Sequence, residues 1–443
     1  MEITSISLGP KYSDKQRMMA ALARANFKPG EVVRGCDPEL IERVRPEALS
    51  AIDQKVKSGG NLSFEQAFSG MAFVLAATNN LLRGQLFPGM DLPEAIAKGT
   101  AFLQLMAVKE ALAGLSAEEV AGMVAATSLD IVFRPEFRQV TETCGMGGDR
   151  GWETREVKTI SASTLSALVL ASLGFTAFKH GSFGNTTAVG STDVPINFGA
   201  NICQYSASDI QLLLARARFW FSDAHSVKTI HYLSHLLMVE TVNHVLGPMT
   251  LPIARQTQLF KVMGVNHHVH PDVIARAYTI LHKRGFVNLG GVIAVAGLDE
   301  CPLHGEHRKS GWIAAHTFLD EVSPRATLVS LARRDEFMGS FLLADVHFGA
   351  GPLNEERLRV PNTIPDLMKA NQAALAGLDP DLSPYLARNA ALALLVSEGL
   401  EDGPLTRLPE CYRRCLEAIN SGQALQALER YVEVSGGRFH SWL

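Results

Sequence analysis

Three clusters in this chain combine residue types and spacings that could do chemistry. The first, Gly145-Met-Gly-Gly-Asp149, places three glycines in four positions. Such a run lets backbone approach a ligand closely and turns N–H groups toward an anion, and the closing Asp suits ribose hydroxyls. A tight turn between strand and helix is the competing reading. The second is Lys179-His180-Gly181-Ser182, followed by Gly184-Asn-Thr-Thr187 and Gly190-Ser-Thr-Asp193. One basic side chain and two small, hydroxyl-rich loops offer donors to phosphate oxygens without bulk. A polar surface turn competes here. The third is Asp299-Glu300, directly after an apolar strand ending at Ala296. Adjacent carboxylates at a strand end suit Mg²⁺, which takes hard oxygen ligands and keeps phosphate ligands beside them. A solvated turn is the alternative.

Histidines add further candidates. His267, His268 and His270 cluster, and Cys301, His304 and His307 follow the acidic pair. Asp299, His304 and His307 would make a transition-metal set, but their spacing fits no zinc motif. His225, His231 and His235 lie on a separate segment, where core or interface positions compete with an acceptor-facing role.

Elements must position these groups. Apolar spacing of three and four predicts helices over 64–82 and 92–112, joined through 84–91 where Pro88 and Gly89 are adjacent. Ser116-Ala-Glu-Glu119 is a capping box that opens another helix. The first roughly 35 residues carry no pattern and read as an arm or loosely docked lead. The character changes near Val140. A helix over 159–173 and a strand over 176–179 follow the glycine cluster, and a helix from Pro271 to Gly285 precedes a strand over 291–297. Alternating helices and short apolar strands indicate an α/β fold with a central, mostly parallel sheet. The first two clusters are then separated by one helix and one strand, which brings both to one sheet edge, where ligands bind in open α/β folds. The tail over 385–434 turns helical again, with a break at Gly422. The expected division is a helical domain, 1–138, and an α/β domain, 139–443.

Composition narrows the function. A 47% hydrophobic content excludes intrinsic disorder. The formal net charge of −4 excludes a global positive field, although Arg150, Arg155, Lys158, Arg216 and Arg218 would allow a local basic patch. None of the six cysteines forms a CxxC pair. The lead shows no secretory pattern, and the longest apolar stretch, 165–178, falls short of the ~20 residues that span a bilayer. A reducing cytoplasm is the expected location.

Taken in order, the motifs resemble those of the anthranilate phosphoribosyltransferase family, within the wider group of family-3 glycosyltransferases and pyrimidine nucleoside phosphorylases. The family's G-T-G-G-D is similar to GMGGD at 145–149, and its N-I-S-T to Thr159-Ile-Ser-Ala162. K-H-G-N…G-S-S-D resembles KHGS…GSTD at 179–193, G-P-L-T-N-P resembles Gly247-Pro-Met-Thr-Leu-Pro252, and G-L-D-E is matched at Gly297-Leu-Asp-Glu300. Arg388-Asn-Ala-Ala-Leu-Ala and Ile419-Asn-Ser-Gly-Gln-Ala-Leu fit the closing helices, so the resemblance spans about residues 60–435. Departures accompany it. Thr159 and Ser182 replace family asparagines, and the loop from Asp149 to Thr159 is longer than the family's. The stretch Tyr232–Glu240 lacks the Arg that grips the anthranilate carboxylate in the family.

The resemblance implies a helical domain and an α/β domain clasping a cleft. It also implies transfer of 5-phosphoribosyl from phosphoribosyl diphosphate, with Mg²⁺, to a nitrogenous acceptor other than anthranilate. Gly145, Gly147, Gly148 and Asp149 would meet diphosphate and ribose. Lys179, Thr187 and Ser191 would meet phosphate oxygens, with Thr159 and Ser182 beside the substrate. Ser161, Asp299 and Glu300 would hold Mg²⁺, and His180 is the candidate for proton transfer at the acceptor. A homodimer is implied. A nucleic-acid-binding relative without catalysis and a nucleoside phosphorylase are the rival readings.

Overall fold

The computed structural model describes residues 47–83, 91–129, 135–147, 157–184, 189–202, 207–223, 241–250, 252–401 and 403–443. Among the described residues, four helices come first: α1 (Leu49–Lys57), α2 (Phe64–Arg83), α3 (Leu92–Ala113) and α4 (Ala117–Ala126). The Asp91 carboxylate caps α3 by accepting from the Glu94 N–H, and the Ser116–Glu119 capping box forms at α4 as expected. Glu119 does more than cap. It is fully buried, accepts from Leu62 N at 2.8 Å and pairs with the buried Lys109 ammonium at 2.9 Å. Lys109 also donates to Asn61 Oδ1 and to the Gly114 carbonyl, so all three of its protons are used inside the helical part.

From β1 (Gln139–Gly145) onward the chain alternates strand and helix, through β2 (Val157–Lys158), α5 (Ala162–Ser172), β3 (Ala177–Gly181), α6 (Asp193–Asn197), α7 (Ala207–Ala217) and β4 (Phe219–Asp223). It continues through α8 (Asn243–Met249), β5 (Gln258–Gly264), α9 (Pro271–Lys283) and β6 (Asn288–Leu298). A final β group comprises α10 (Ser310–His316), β7 (Thr317–Leu319), β8 (Ala326–Arg333) and β9 (Glu336–Leu343). The main sheet runs β4-β3-β1-β5-β6-β8-β9, with β7 paired to β6. Pairings from β4 to β6 are parallel; β7, β8 and β9 add antiparallel strands. The sheet is therefore mixed but parallel where the glycine cluster and the KHG strand end.

After β10 (Val360–Pro361), which pairs with β2, four helices close the fold: α11 (Ile364–Leu375), α12 (Leu382–Ser397), α13 (Leu408–Asn420) and α14 (Gln423–Val434). The break between the last two falls at Gly422, whose φ of 76° lies in the left-handed region. Helix α12 is apolar nearly all round and buried along almost its whole length, as expected of a helix inside the core. It packs against α5, β5 and β6, so the C-terminal segment backs the sheet. Among the described residues, no helix is long and apolar enough to cross a membrane.

Candidate functional site

The parallel strands all aim their carboxyl ends at one edge, and the register there is tight. Gly145 lies opposite Gly264 on β5, and Gly264 opposite Val295 on β6. Across this level lies residue Asp320. A Cβ on Gly145 would stand 2.0 Å from Asp320 Oδ2, and one on Gly264 would stand 1.5 Å from the Asp320 carbonyl oxygen. Only glycine fits at either position. The Gly147 N–H donates to Asp320 Oδ2 at 2.7 Å, so the glycine turn and this carboxylate are held face to face.

Glu321 follows in a half-buried position. Its Oε1 accepts from the Thr159 hydroxyl and, at 2.8 Å, from Tyr385 OH on α12. Burial and the neighbouring Asp320 charge push its pKa up to about 7, against the hydrogen bonds from Thr159 and Tyr385. One turn further along α12, Asn389 Oδ1 accepts from Val322 N at 3.0 Å. Two side chains on one face of the core helix thus hold this segment, Tyr385 at the Glu321 carboxyl and Asn389 at the Val322 backbone.

The pair Asp299–Glu300 lies elsewhere than this turn. Strand β6 runs on past the level of Gly145, so Asp299 lies four residues beyond Val295, roughly 13 Å further at ~3.3 Å per residue. There its carboxylate faces His316 Nδ1 at 2.8 Å, and Glu300 is 69% exposed. The chain then makes an excursion over 299–316 and returns antiparallel, with Leu319 opposite Gly297, which places Asp320 back at the glycine turn. A sequence signal was present: Leu-Asp-Glu occurs twice, at 298–300 and at 319–321. Among the described residues, no three His, Cys, Asp or Glu side chains are placed to hold a metal ion, so Asp299, His304 and His307 form no such set.

The second cluster folds at the same edge. Lys179 on β3 is 2% exposed, donates to the His180 carbonyl at 2.7 Å, and has its pKa lowered by burial. Asp193 Oδ2 accepts from Gly184 N and Gly190 N, at 3.0 and 2.7 Å, and so ties the two small-residue loops together. The Thr192 N–H donates to the Ser182 carbonyl, and a Cβ on Gly181 would meet the Ser191 Cβ at 2.3 Å. Ser161 precedes α5, where Asn371 of α11 bonds both its backbone N–H and its hydroxyl. Thr159 is brought to the site, with its hydroxyl engaged by Glu321. Gly148, Asp149, Arg150, Arg155, Thr187, His225, His231, His235 and the stretch 232–240 lie outside the described residues.

His180 is turned into the protein interior. It is 3% exposed, with Nδ1 against the Glu142 carboxylate and Nε2 at 2.9 Å from the Gly247 carbonyl. A carbonyl only accepts, so Nε2 carries a proton and donates it. Both ring nitrogens are engaged inside the protein. Glu142 on β1 also meets Lys261 of β5, which donates to the Pro248 carbonyl at 2.7 Å. Burial works against the Glu142 anion, yet the His180 and Lys261 charges pull its pKa down to about 2. Burial likewise opposes the Lys261 cation, while Cys144 and Glu142 hold its pKa above the ordinary value. This buried trio fixes the backbone at 247–248, with both His180 ring nitrogens turned inward.

Comparison with known proteins places these features in context. Residues 138–310 match the family described as "Glycosyl transferase family, a/b domain", a span that ends inside the 299–316 excursion and short of Asp320. The chain is 30% identical over 332 residues to an anthranilate phosphoribosyltransferase of Ignicoccus hospitalis, covering 72% of this chain and 84% of that protein. It is 27% identical over 366 residues to that of Leptothrix cholodnii, covering 82% and 92%. Among solved structures, anthranilate phosphoribosyltransferase from Saccharomyces cerevisiae in complex with PRPP and Mg shares the fold, with a TM-score of 0.63 and 19% identity over 88% of this chain and 98% of that one. The enzyme from Thermus thermophilus gives a TM-score of 0.63 and 22% identity over 87% and 99%.

Proposed function

The chain belongs to the anthranilate phosphoribosyltransferase family, and from that premise we propose that it transfers 5-phosphoribosyl from phosphoribosyl diphosphate to a nitrogenous acceptor other than anthranilate. The observation that carries this reading is the Asp320–Glu321 turn laid across Gly145 and Gly264, at the same sheet edge as Lys179, Ser182 and Ser191. The donor chemistry fits Mg²⁺: two adjacent hard carboxyls, one of them held near pKa 7 by burial and by the other's charge, gain from a dication. Asp320, Glu321 and Ser161 are the residues assigned to hold it. Bound there, the ion would neutralise charge that develops on the departing diphosphate.

The protein groups have separate tasks. Lys179 brings a cation that burial disfavours, so an arriving phosphate relieves that cost. Thr187 and Ser191 are assigned to phosphate oxygens, Ser182 to the acceptor side, and Gly147, Gly148 and Asp149 to diphosphate and ribose. As the C1–O bond to diphosphate breaks, the ribose carbon gains oxocarbenium-like character, and the acceptor nitrogen bonds to it through its lone pair. A neutral amine needs no base before that step, and the proton its nitrogen sheds afterwards passes to the departing diphosphate, which agrees with the inward commitment of His180. The acceptor side departs from anthranilate: Tyr232–Glu240 supplies no Arg for its carboxylate.

A homodimer is proposed as the assembly. Leu105, Val108 and Leu112 lie on one stripe of α3, the last two 54% and 83% exposed, and light scattering tests whether they pair two copies. For the activity, the test is calorimetry with phosphoribosyl diphosphate and Mg²⁺, followed by diphosphate release with candidate acceptors. Absence of phosphoribosyl diphosphate binding would remove the reading. Turnover of anthranilate at a kcat/KM of ~10⁴ M⁻¹s⁻¹ or above would overturn its acceptor half.

A further inference from the structure

The short helix α6 begins at the residue that orders the small-residue loops, since the Asp193 carboxylate ties Gly184 and Gly190 together. It closes at Asn197, and the last carbonyls of a helix have no partner inside it. Residues 436–443, which follow the last of the family motifs, supply those partners. Arg438 N donates to the Gly199 carbonyl at 3.2 Å, His440 N to the Phe198 carbonyl at 3.0 Å, and Trp442 Nε1 to the Asn197 carbonyl at 3.0 Å. One segment thus takes three successive carbonyls. The approach needs glycine on both sides. A Cβ on Gly199 would stand 1.9 Å from the Arg438 carbonyl oxygen, and one on Gly437 would stand 2.0 Å from the Gly199 carbonyl oxygen. The Phe439 ring lies parallel to Phe198, with centroids 6.0 Å apart.

The same segment reaches α11. Trp442 N donates to Gln372 Oε1 at 2.6 Å, and Gln372 Nε2 donates to Ser441 Oγ at 3.0 Å. Gln372 is 4% exposed, and a buried amide without partners is costly, so these bonds fix where the segment lies. Its neighbour Asn371 is fully buried and holds Ser161, accepting from the backbone N–H at 2.8 Å and donating to the hydroxyl oxygen at 3.1 Å. One part of the segment therefore bears on α6, and another on the residue beside the one that sets Ser161. Closing the fold does not require it. Helix α14 already packs against α5 and α7 before the segment begins, and Arg438, His440 and Ser441 are exposed.

We propose that residues 437–442 form a clasp that holds α6, with Ser191 ahead of it, and Ser161 in register for phosphoribosyl diphosphate, so that docking of the clasp and binding of that ligand are coupled. The proposal rests on the phosphoribosyl-transfer reading and deepens its donor side. Trp442 and Gln372 are positioning residues that act through α6 and Asn371.

Such coupling is reciprocal. If docking raises the affinity by some factor, the ligand tightens docking by the same factor. Calorimetry with phosphoribosyl diphosphate and Mg²⁺ should show Trp442→Ala binding about fivefold or more weakly, the lower end of coupling between sites. Trp442→Phe, which keeps a ring and loses the Nε1 donor, should fall between that variant and wild type. Thermal melting establishes that each variant folds. In the wild type, saturating phosphoribosyl diphosphate and Mg²⁺ should slow chymotryptic cleavage after Phe439 about fivefold beyond the slowing at the exposed Leu378, which reports general stabilisation by the ligand. A segment with a structural role alone would lower the melting temperature and leave both readouts flat. Binding by folded Trp442→Ala within twofold of wild type, or equal slowing at Phe439 and Leu378, would overturn the proposal. The wild-type cleavage comparison decides where a variant fails to fold. Wild-type protein that does not bind phosphoribosyl diphosphate would instead remove the reading on which the proposal stands, so the two failures are separable.

Discussion

Asp320→Asn should abolish most of the Mg²⁺-dependent affinity for phosphoribosyl diphosphate while Asp299→Asn with Glu300→Gln leaves it intact. The first change is nearly isosteric. Its remaining carbonyl oxygen still accepts the Gly147 N–H, so the turn that Asp320 Oδ2 holds at 2.7 Å keeps its shape and only the charge is lost. A hydrogen bond or contact to a charged group is worth about 1.5–3 kcal/mol. At ~1.4 kcal/mol per factor of ten, this is a weakening of roughly ten- to a hundredfold. Gly145→Ala provides an independent route to the same result, because its Cβ would stand 2.0 Å from Asp320 Oδ2 and must displace the carboxylate without removing it. The 299–300 double variant alters groups that pair with His316 and solvent. The assay is calorimetric titration with and without Mg²⁺, with thermal melting to establish that each variant folds. Tenfold or greater loss in the 299–300 variant, with Asp320→Asn within a factor of two of wild type, would refute the assignment.

Two further outcomes follow from the same site. The Glu321 pKa is raised from 4.5 to about 7, so the folded protein holds an extra proton between those values; that contribution is present below pH 4.5 and lost as pH rises through about 7. Metal-free protein should therefore lose urea stability between mildly acidic and neutral pH, and Glu321→Gln should flatten that slope; an unchanged slope would count against the buried acid. Lys179→Ala should weaken phosphoribosyl diphosphate binding by roughly ten- to a hundredfold, and an effect under twofold would mean that the amine serves only the His180 carbonyl it already meets.

What the sequence made legible was local. The Ser116 capping box, the Gly422 break and the glycine cluster at a strand end each depend on a few neighbouring residues, and each appears where the pattern put it. The place of Asp299–Glu300, away from the glycine turn, depends on a property that no window of sequence carries. Both Leu-Asp-Glu copies are adjacent to strands, and the choice between them is made by how far β6 overruns β5 and where β7 returns. The inward setting of His180 was not legible for a similar reason: its two partners, Glu142 and Gly247, lie 38 and 67 residues away. Strand β5 escaped notice because Lys261 interrupts its apolar run, and that lysine is fully buried against a carboxylate and a carbonyl.

The excursion over 299–316 shows how the site tolerates a long insertion between its strands. Its ends are pinched together: the Asp299 N–H donates to the His316 carbonyl at 2.9 Å, and their side chains meet at 2.8 Å. Arg325 adds a bond to the Asp299 carbonyl and a pair with Glu355. A loop with closed ends costs little more when it lengthens, since closure entropy rises only with the logarithm of its length. The strands it joins therefore feel a tight connection, and the register of β6 with β7 is kept. What fixes Asp320 is then not its distance along the chain but the two facing glycines that admit its backbone and the Tyr385–Asn389 face that holds the residues after it. The Asp320–Glu321 pair is thus held by the sheet edge and the core helix.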